Sequence, residues 1–107
     1  MVGLFAYNSP SCIDAIKEAG KLDQIKICGF DEQDALLQAI ADGNAYGTIS
    51  QQPWEYGYES IKMLKNIHEG TSPASTYQEG AFLEVTKENL DEFWAKKKEM
   101  AELGKSN

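Results

Sequence analysis

The sequence contains no arginine. All 10 of its basic residues are lysines, set against 17 acidic residues in 107, and the formal net charge is −7. Nucleic-acid binding needs cations to replace phosphate counterions and usually arginine to read bases, so that class is excluded. An anionic membrane surface is excluded on the same ground. Only two cysteines occur, Cys12 and Cys28, too few for a disulfide scaffold or a zinc site. The single histidine, His68, leaves Cys28 without a base, and Cys28 is expected to be a buried small hydrophobe. No apolar run approaches the roughly 20 residues of a spanning helix. The stretch Met1–Ala6 has neither a basic region nor a long apolar core, and does not read as a signal peptide. No Gly-x-Gly-x-x-Gly and no P-loop occurs, so nucleotide enzymes lose their best signature. No metal, cofactor or catalytic residue is expected.

What is present is ordinary globular material: 42% hydrophobic and 25% charged residues, in a chain long enough for one core. Four strand-like runs alternate with four helix-like runs. Val2–Tyr7 is apolar and meets turn chemistry at Asn8-Ser9-Pro10, where Ser9 can cap a helix with Pro10 at its first position. Ile13, Ile16 and Ala19 keep helical spacing, and Gly20 suits the residue after the helix. A strand over Gln24–Phe30 is followed by a helix over Glu32–Ala41, closed by Gly43. A third strand, Ala45–Gln51, leads to Pro53, which opens a helix ended by Gly70. On it, Gly57, Ser60, Ile61, Leu64 and Ile67 share one stripe. Thr71–Gly80 is a Ser/Thr/Pro/Gly loop. Ala81–Val85 reads as a short strand. Thr86 can cap the last helix, Lys87–Leu103, whose inner stripe is Leu90, Phe93, Trp94 and the stem of Lys97. Lys96-Lys97-Lys98 otherwise reads as an exposed charged face, and Lys105-Ser106-Asn107 is expected to fray. The order βαβαβαβα with helix-sized crossovers predicts an α/β fold on a small, open, mainly parallel sheet, in two or three layers.

Three strands end in a polar residue before a helix begins: Asn8, Asp31 and Gln51. In an open parallel sheet these ends share one edge, and ligands bind outside the carboxyl ends of the strands. Two amides and a carboxylate suit a neutral, polyhydroxylated ligand, because each hydroxyl donates and accepts and a carboxylate can take two hydroxyl donors. Taken singly, Asn8 and Asp31 read equally well as caps or turn residues, and Gln51 as a solvated hinge residue. Trp54, beside Gln51, is a secondary candidate for stacking on a sugar, or else a plug of the helix–sheet interface. Asp31, Glu32 and Asp34 fit the favourable dipole at a helix N-terminus more simply than a metal site.

The runs Leu4–Asn8, Ala15–Lys21, Ile25–Asp31, Leu37–Gly43, Gly47–Pro53, Tyr56–Glu59 and Val85–Asn89 resemble the type I periplasmic sugar-binding proteins of ABC transporters, the ribose-binding-protein group. The motifs follow in that family's order and spacing along nearly the whole chain. The resemblance implies that Asn8, Asp31 of Gly29-Phe30-Asp31, and Gln51 hydrogen-bond a monosaccharide. It implies lobe closure around the sugar, recognition by a membrane permease, a periplasmic location, and no enzymatic activity. Such proteins are about two and a half times this long, as two lobes of ordinary size require. Residues 1–52 resemble the end of the C-terminal lobe, and 53–107 the hinge crossover helix and tail, here expected to form one α/β unit of flavodoxin-like appearance. The aromatic residues and Arg/Asp pair that clamp the sugar in the family are not in this chain, so weak binding or none is expected from it alone. With no first lobe to cover it, the stripe of the Pro53–Gly70 helix must fold back on this chain's own sheet or pair with a second copy, and a homodimer is expected. Two other readings stay open: the effector domain of a sugar-responsive repressor, which resembles the same fold, and a ligand-free structural or engineered module.

Overall fold

A computed structural model describes residues 1–105. The elements run α1 (Asn8–Glu18), β1 (Cys28–Phe30), α2 (Asp34–Ala41), β2 (Gly47–Ser50), α3 (Pro53–His68), β3 (Leu83–Thr86) and α4 (Leu90–Lys105). The chain divides into two compact units. One comprises Met1–Ser50 with the segment from Glu84 onward, and the other comprises Gln51–Leu83.

The first unit is an α/β arrangement on a sheet of order β1-β2-β3. Strands β1 and β2 are parallel, with Cys28 opposite Gly47, Gly29 opposite Thr48 and Phe30 opposite Ile49. A crossover helix is what lets two such strands run the same way, and α2 supplies it. The core is one cluster in which Ile16 of α1, Leu36, Leu37 and Ile40 of α2, Val85 of β3, and Leu90 and Phe93 of α4 are buried. Gly29 and Gly3 face the helices. A β-carbon built on Gly29 would lie 2.4 Å from Leu36 and 2.6 Å from the Ser9 hydroxyl, and one on Gly3 would lie 2.6 Å from that same hydroxyl. Glycine here is a packing requirement, because α1 crosses the strands too closely for any side chain. Helices α1, α2 and α3 each close on a left-handed glycine, Gly20, Gly43 and Gly70, as their sequence positions lead one to expect.

Among the described residues three strands form instead of four. The run Val2–Tyr7 contributes only an isolated parallel bridge from Val2 to Cys28. Its second half curls, because the Asn8 amide donates to the Phe5 carbonyl (2.9 Å) and the Asn8 Oδ1 accepts from the Phe5 amide (3.1 Å). The helix therefore starts at Asn8, with Tyr7 as its N-cap residue. Ser9 is no cap: it lies inside α1, fully buried, and its hydroxyl has no partner among the described residues. Thr86 is likewise not the cap of α4. It lies four residues ahead of the helix and its hydroxyl donates to the Glu88 carboxylate, while the Asn89 side chain accepts from the Thr86 amide at 2.8 Å and donates to the Glu84 carbonyl at 2.8 Å. Lys97 packs its stem as the inner stripe predicts, but its charge does not belong to an exposed face. Its stem is half-buried and its ammonium donates to the Glu32 carbonyl and the Asp34 carboxylate, both at 2.7 Å, tying α4 to the start of α2. Lys105 closes α4; the fraying expected of Ser106 and Asn107 lies outside the described residues.

The second unit is α3 with the loop that follows it. Pro53 occupies the first turn, where no amide hydrogen is needed. No residue of α3 is buried, and Tyr58, Ile61 and Leu64 are more than half exposed. The loop leaves the helix with the Thr71 amide donating to the Asn66 carbonyl at 2.8 Å and returns to it where the Tyr56 hydroxyl donates to the Ala81 carbonyl at 2.7 Å and Gly80 packs against the Tyr56 ring. No helix among the described residues is long and apolar enough to cross a membrane.

Candidate functional site at the strand ends

Asp31 is the residue that follows β1, and its backbone is left-handed, at φ 67°. Both of its peptide groups are held by β2: its amide donates to the Ile49 carbonyl at 2.9 Å, and its carbonyl accepts from the Thr48 hydroxyl at 2.7 Å. A non-glycine residue in this conformation costs free energy and persists only where its surroundings enforce it. Here the enforcing groups are the two bonds to its main chain, which fix the backbone that carries the half-buried Asp31 side chain. Only one other non-glycine residue among those described has a positive φ: Gln52, at 55°. It follows the end of β2 by two residues and is the N-cap residue of α3.

Asn8 and Asp31 belong to the same unit. Met1–Gly3 runs alongside β1 in the same direction, since the Gly3 amide donates to the Cys28 carbonyl and the Cys28 amide to the Met1 carbonyl, each at 3.0 Å. Asn8 thus lies toward the carboxyl end of β1, where Asp31 is. Its Oδ1 is spent on the Phe5 amide, the turn-stabilising use anticipated for it, which leaves the Nδ2 donor. Gln51 is exposed and one peptide bond beyond β2, at the head of the second unit. Trp54 is half-buried in the first turn of α3.

Two polar residues around Asp31 escaped the sequence reading. Ser50, fully buried at the end of β2, donates its hydroxyl to the Glu32 carboxylate at 2.5 Å. Glu32 was legible only as a helix-start acid. Its neighbour in space lies 18 residues away, and the one signal for it is the alternation of Thr48 and Ser50, which turns both hydroxyls to one face. Asp34, the other helix-start acid, pairs with Lys97. Cys28 is exposed rather than buried, because it lies on the sheet face opposite the one that Gly29 turns to α1 and α2. Among the described residues no group of three or more His, Cys, Asp or Glu is placed to hold a metal ion.

The second unit carries a groove of about 710 Å³ between α3 and residues 78–81, lined by Met63, Leu64 and Ile67 with Glu55, Glu59 and Glu79. It includes none of Asn8, Asp31 and Gln51.

Residues 1–72 match the family model described as "Periplasmic binding protein domain". No curated protein matches the chain. Among solved structures, the chain is similar to GanP, a glucose-galactose binding protein from Geobacillus stearothermophilus, with 21% identity and a TM-score of 0.75 over 83% of this chain and 31% of that one. It is similar to an ABC transporter solute binding protein from Agrobacterium vitis with bound D-fucose, with 25% identity and a TM-score of 0.73 over 89% of this chain and 32% of that one. It is also similar to AraP, an arabinose binding protein from Geobacillus stearothermophilus, with 25% identity and a TM-score of 0.71 over 86% of this chain and 34% of that one. The chain spans about a third of the length of each of these structures. With two-thirds of its length matched by the family model, the chain belongs to the periplasmic binding protein domain family.

Proposed function

We propose that this chain carries one wall of a binding site for a neutral sugar, with Asp31 as its anchor and Asn8 and Gln51 as flanking contacts. The left-handed backbone of Asp31, fixed on β2 through both of its peptide groups, is the observation that carries the reading. A carboxylate on a backbone already fixed before the ligand arrives leaves only its side chain to order on binding, and it accepts two neighbouring hydroxyls by charge-assisted bonds. The Asn8 amide donor and the exposed Gln51 amide add the mixed donor–acceptor character that hydroxyls require. The family's solute-binding role and the sugars named for the neighbouring structures support the same reading.

The protein acts by binding, not by catalysis. Its setting is the periplasm or cell exterior, and the longer assembly hands its sugar to an ABC permease. One wall does not enclose a monosaccharide, and enclosure is what makes a small-molecule site tight. Isolated, the chain binds weakly or not at all. A second copy of the chain is its other partner. Titration calorimetry with a panel of pentoses and hexoses tests the reading. Millimolar binding of at least one sugar, lost in Asp31→Ala with the fold unchanged, is the expected result. Binding that survives Asp31→Ala overturns the assignment of the anchor, and submicromolar affinity overturns the one-wall reading.

A further inference from the structure

The sheet of the first unit ends in an uncovered border. The two bonds that hold the N-terminal segment to β1 use the Met1 carbonyl and the Gly3 amide, so the peptide groups of Val2, between them, point away from the sheet. Around this border Met1, Val2, Leu4, Phe5 and Tyr7 are each between 55% and 66% exposed. Val2 stands in register with Cys28, which is exposed too, on the face turned away from the helices. Sheet borders of soluble proteins are normally blunted by lysine, proline or a covering segment. Residues 2–8 contain neither a charge nor a proline, and the first charged side chain is Asp14.

We propose that this border, Val2–Leu4, is where two copies of the chain pair, edge to edge and antiparallel about a twofold axis. The proposal rests on the dimer reading given above and is independent of the sugar. A second copy offers what the border lacks: a strand edge with matching outward peptide groups, and the same apolar side chains. Charge favours it also. At a net charge of −7 two copies repel each other, least of all across the first 13 residues, which carry no acidic side chain and whose one charge, the Met1 ammonium, is bonded to the Lys26 carbonyl. The five exposed side chains amount to roughly 600 Å² per copy, so covering them in both gives about 1,200 Å², the lower end of a specific interface.

Sedimentation across the micromolar range tests the proposal on the whole chain. Val2→Lys with Leu4→Lys places two gatekeeper charges on exposed positions and should weaken dimerisation at least tenfold, with the circular dichroism spectrum unchanged. Ile61→Lys with Leu64→Lys on α3 should leave it unchanged, and added salt should strengthen the native dimer by screening. A dimer that survives the edge variant but not the α3 variant overturns the edge assignment and keeps the dimer. A monomer at every concentration overturns both. Growth beyond the dimer overturns the closed twofold in favour of open-ended pairing.

Discussion

Each unit carries a helix with an apolar stripe, the denser one on α2, and only that one is buried. In the first, α2 turns Leu36, Leu37 and Ile40 entirely out of solvent, eight residues sufficing to seat three large side chains. In the second, α3 is twice as long, carries Ile61, Leu64 and Ile67 at helical spacing, and buries nothing. The difference lies in what each helix has to lie against. Helix α2 joins two paired strands and must return across the sheet, so its apolar face meets one. Helix α3 is followed by an exposed loop that leaves an open groove along it and is bonded to it at Asn66 and Tyr56. An apolar stripe states what a helix would bury, and the neighbouring layer decides whether it does.

Truncation on the two helices breaks that comparison most sharply. Leu37→Ala removes a fully buried side chain and should destabilise the protein by about 2–5 kcal/mol, a large share of the stability of a domain this size. Leu64→Ala, at a residue 62% exposed, should fall within about 0.5 kcal/mol of the native protein. Urea unfolding of both variants measures the contrast. Equal losses would show that α3 is covered in solution.

Next in size is the close crossing of α1 over the sheet. Gly29→Ala forces a methyl to within 2.4 Å of Leu36 and 2.6 Å of Ser9, for an expected cost of about 1–3 kcal/mol. Gly57→Ala on α3 meets nothing within 4 Å and should stabilise by up to about 1 kcal/mol through helix propensity. Ser9→Ala should be neutral or stabilising, since it deletes a buried hydroxyl that has no partner among the described residues. Thermal melts of the three variants order these effects, and a loss in Ser9→Ala would mean that the hydroxyl is paired in solution.

A smaller effect is expected of Lys97→Met. It keeps the packed stem and removes two hydrogen bonds, one to a carbonyl and one to a carboxylate 87% exposed. About 0.5–1.5 kcal/mol should be lost, mostly from the carbonyl bond, because the exposed ion pair is screened. Repeating the melt at high salt separates the two shares: a loss that disappears with salt would assign the effect to Asp34 instead.

These contrasts also explain how far the sequence could be read. Helix ends were legible where a residue type has one conformational use, as at Gly20, Gly43, Gly70 and Pro53. The strand expected over Val2–Tyr7 was not, because the Asn8 side chain reaches back to the Phe5 amide and competes with strand pairing. The exposure of Cys28 was illegible for another reason: an apolar three-residue run does not say how many faces of its sheet are covered. Lys97 read correctly as a stem that packs, but its partners lie 63 and 65 residues away, beyond any periodicity. The candidate site divides in the same way. Asp31 stood out by its place after a strand, whereas its left-handed backbone and the Ser50–Glu32 bond depend on the register of β1 against β2.

The smallest effect tests whether the first unit draws anything from its surface polar ties. Glu88 lies just ahead of α4, and the Thr86 hydroxyl donates to its carboxylate. That bond, followed by a backbone bond, holds the Glu88 pKa below its usual value, although the group is fully exposed. A carboxylate with a lowered folded pKa adds stability above its unfolded pKa and loses it as pH falls through the folded value. Thr86→Val deletes the hydroxyl and keeps the methyl packed near Gly47. Its melting temperature should therefore lie slightly below that of the native chain at neutral pH and meet it in acid. A deficit that stays constant from neutral to acid pH would trace the loss to packing at Gly47. With no deficit at any pH, solvent screening would cancel the bond, and the stability of the first unit would come from its buried cluster.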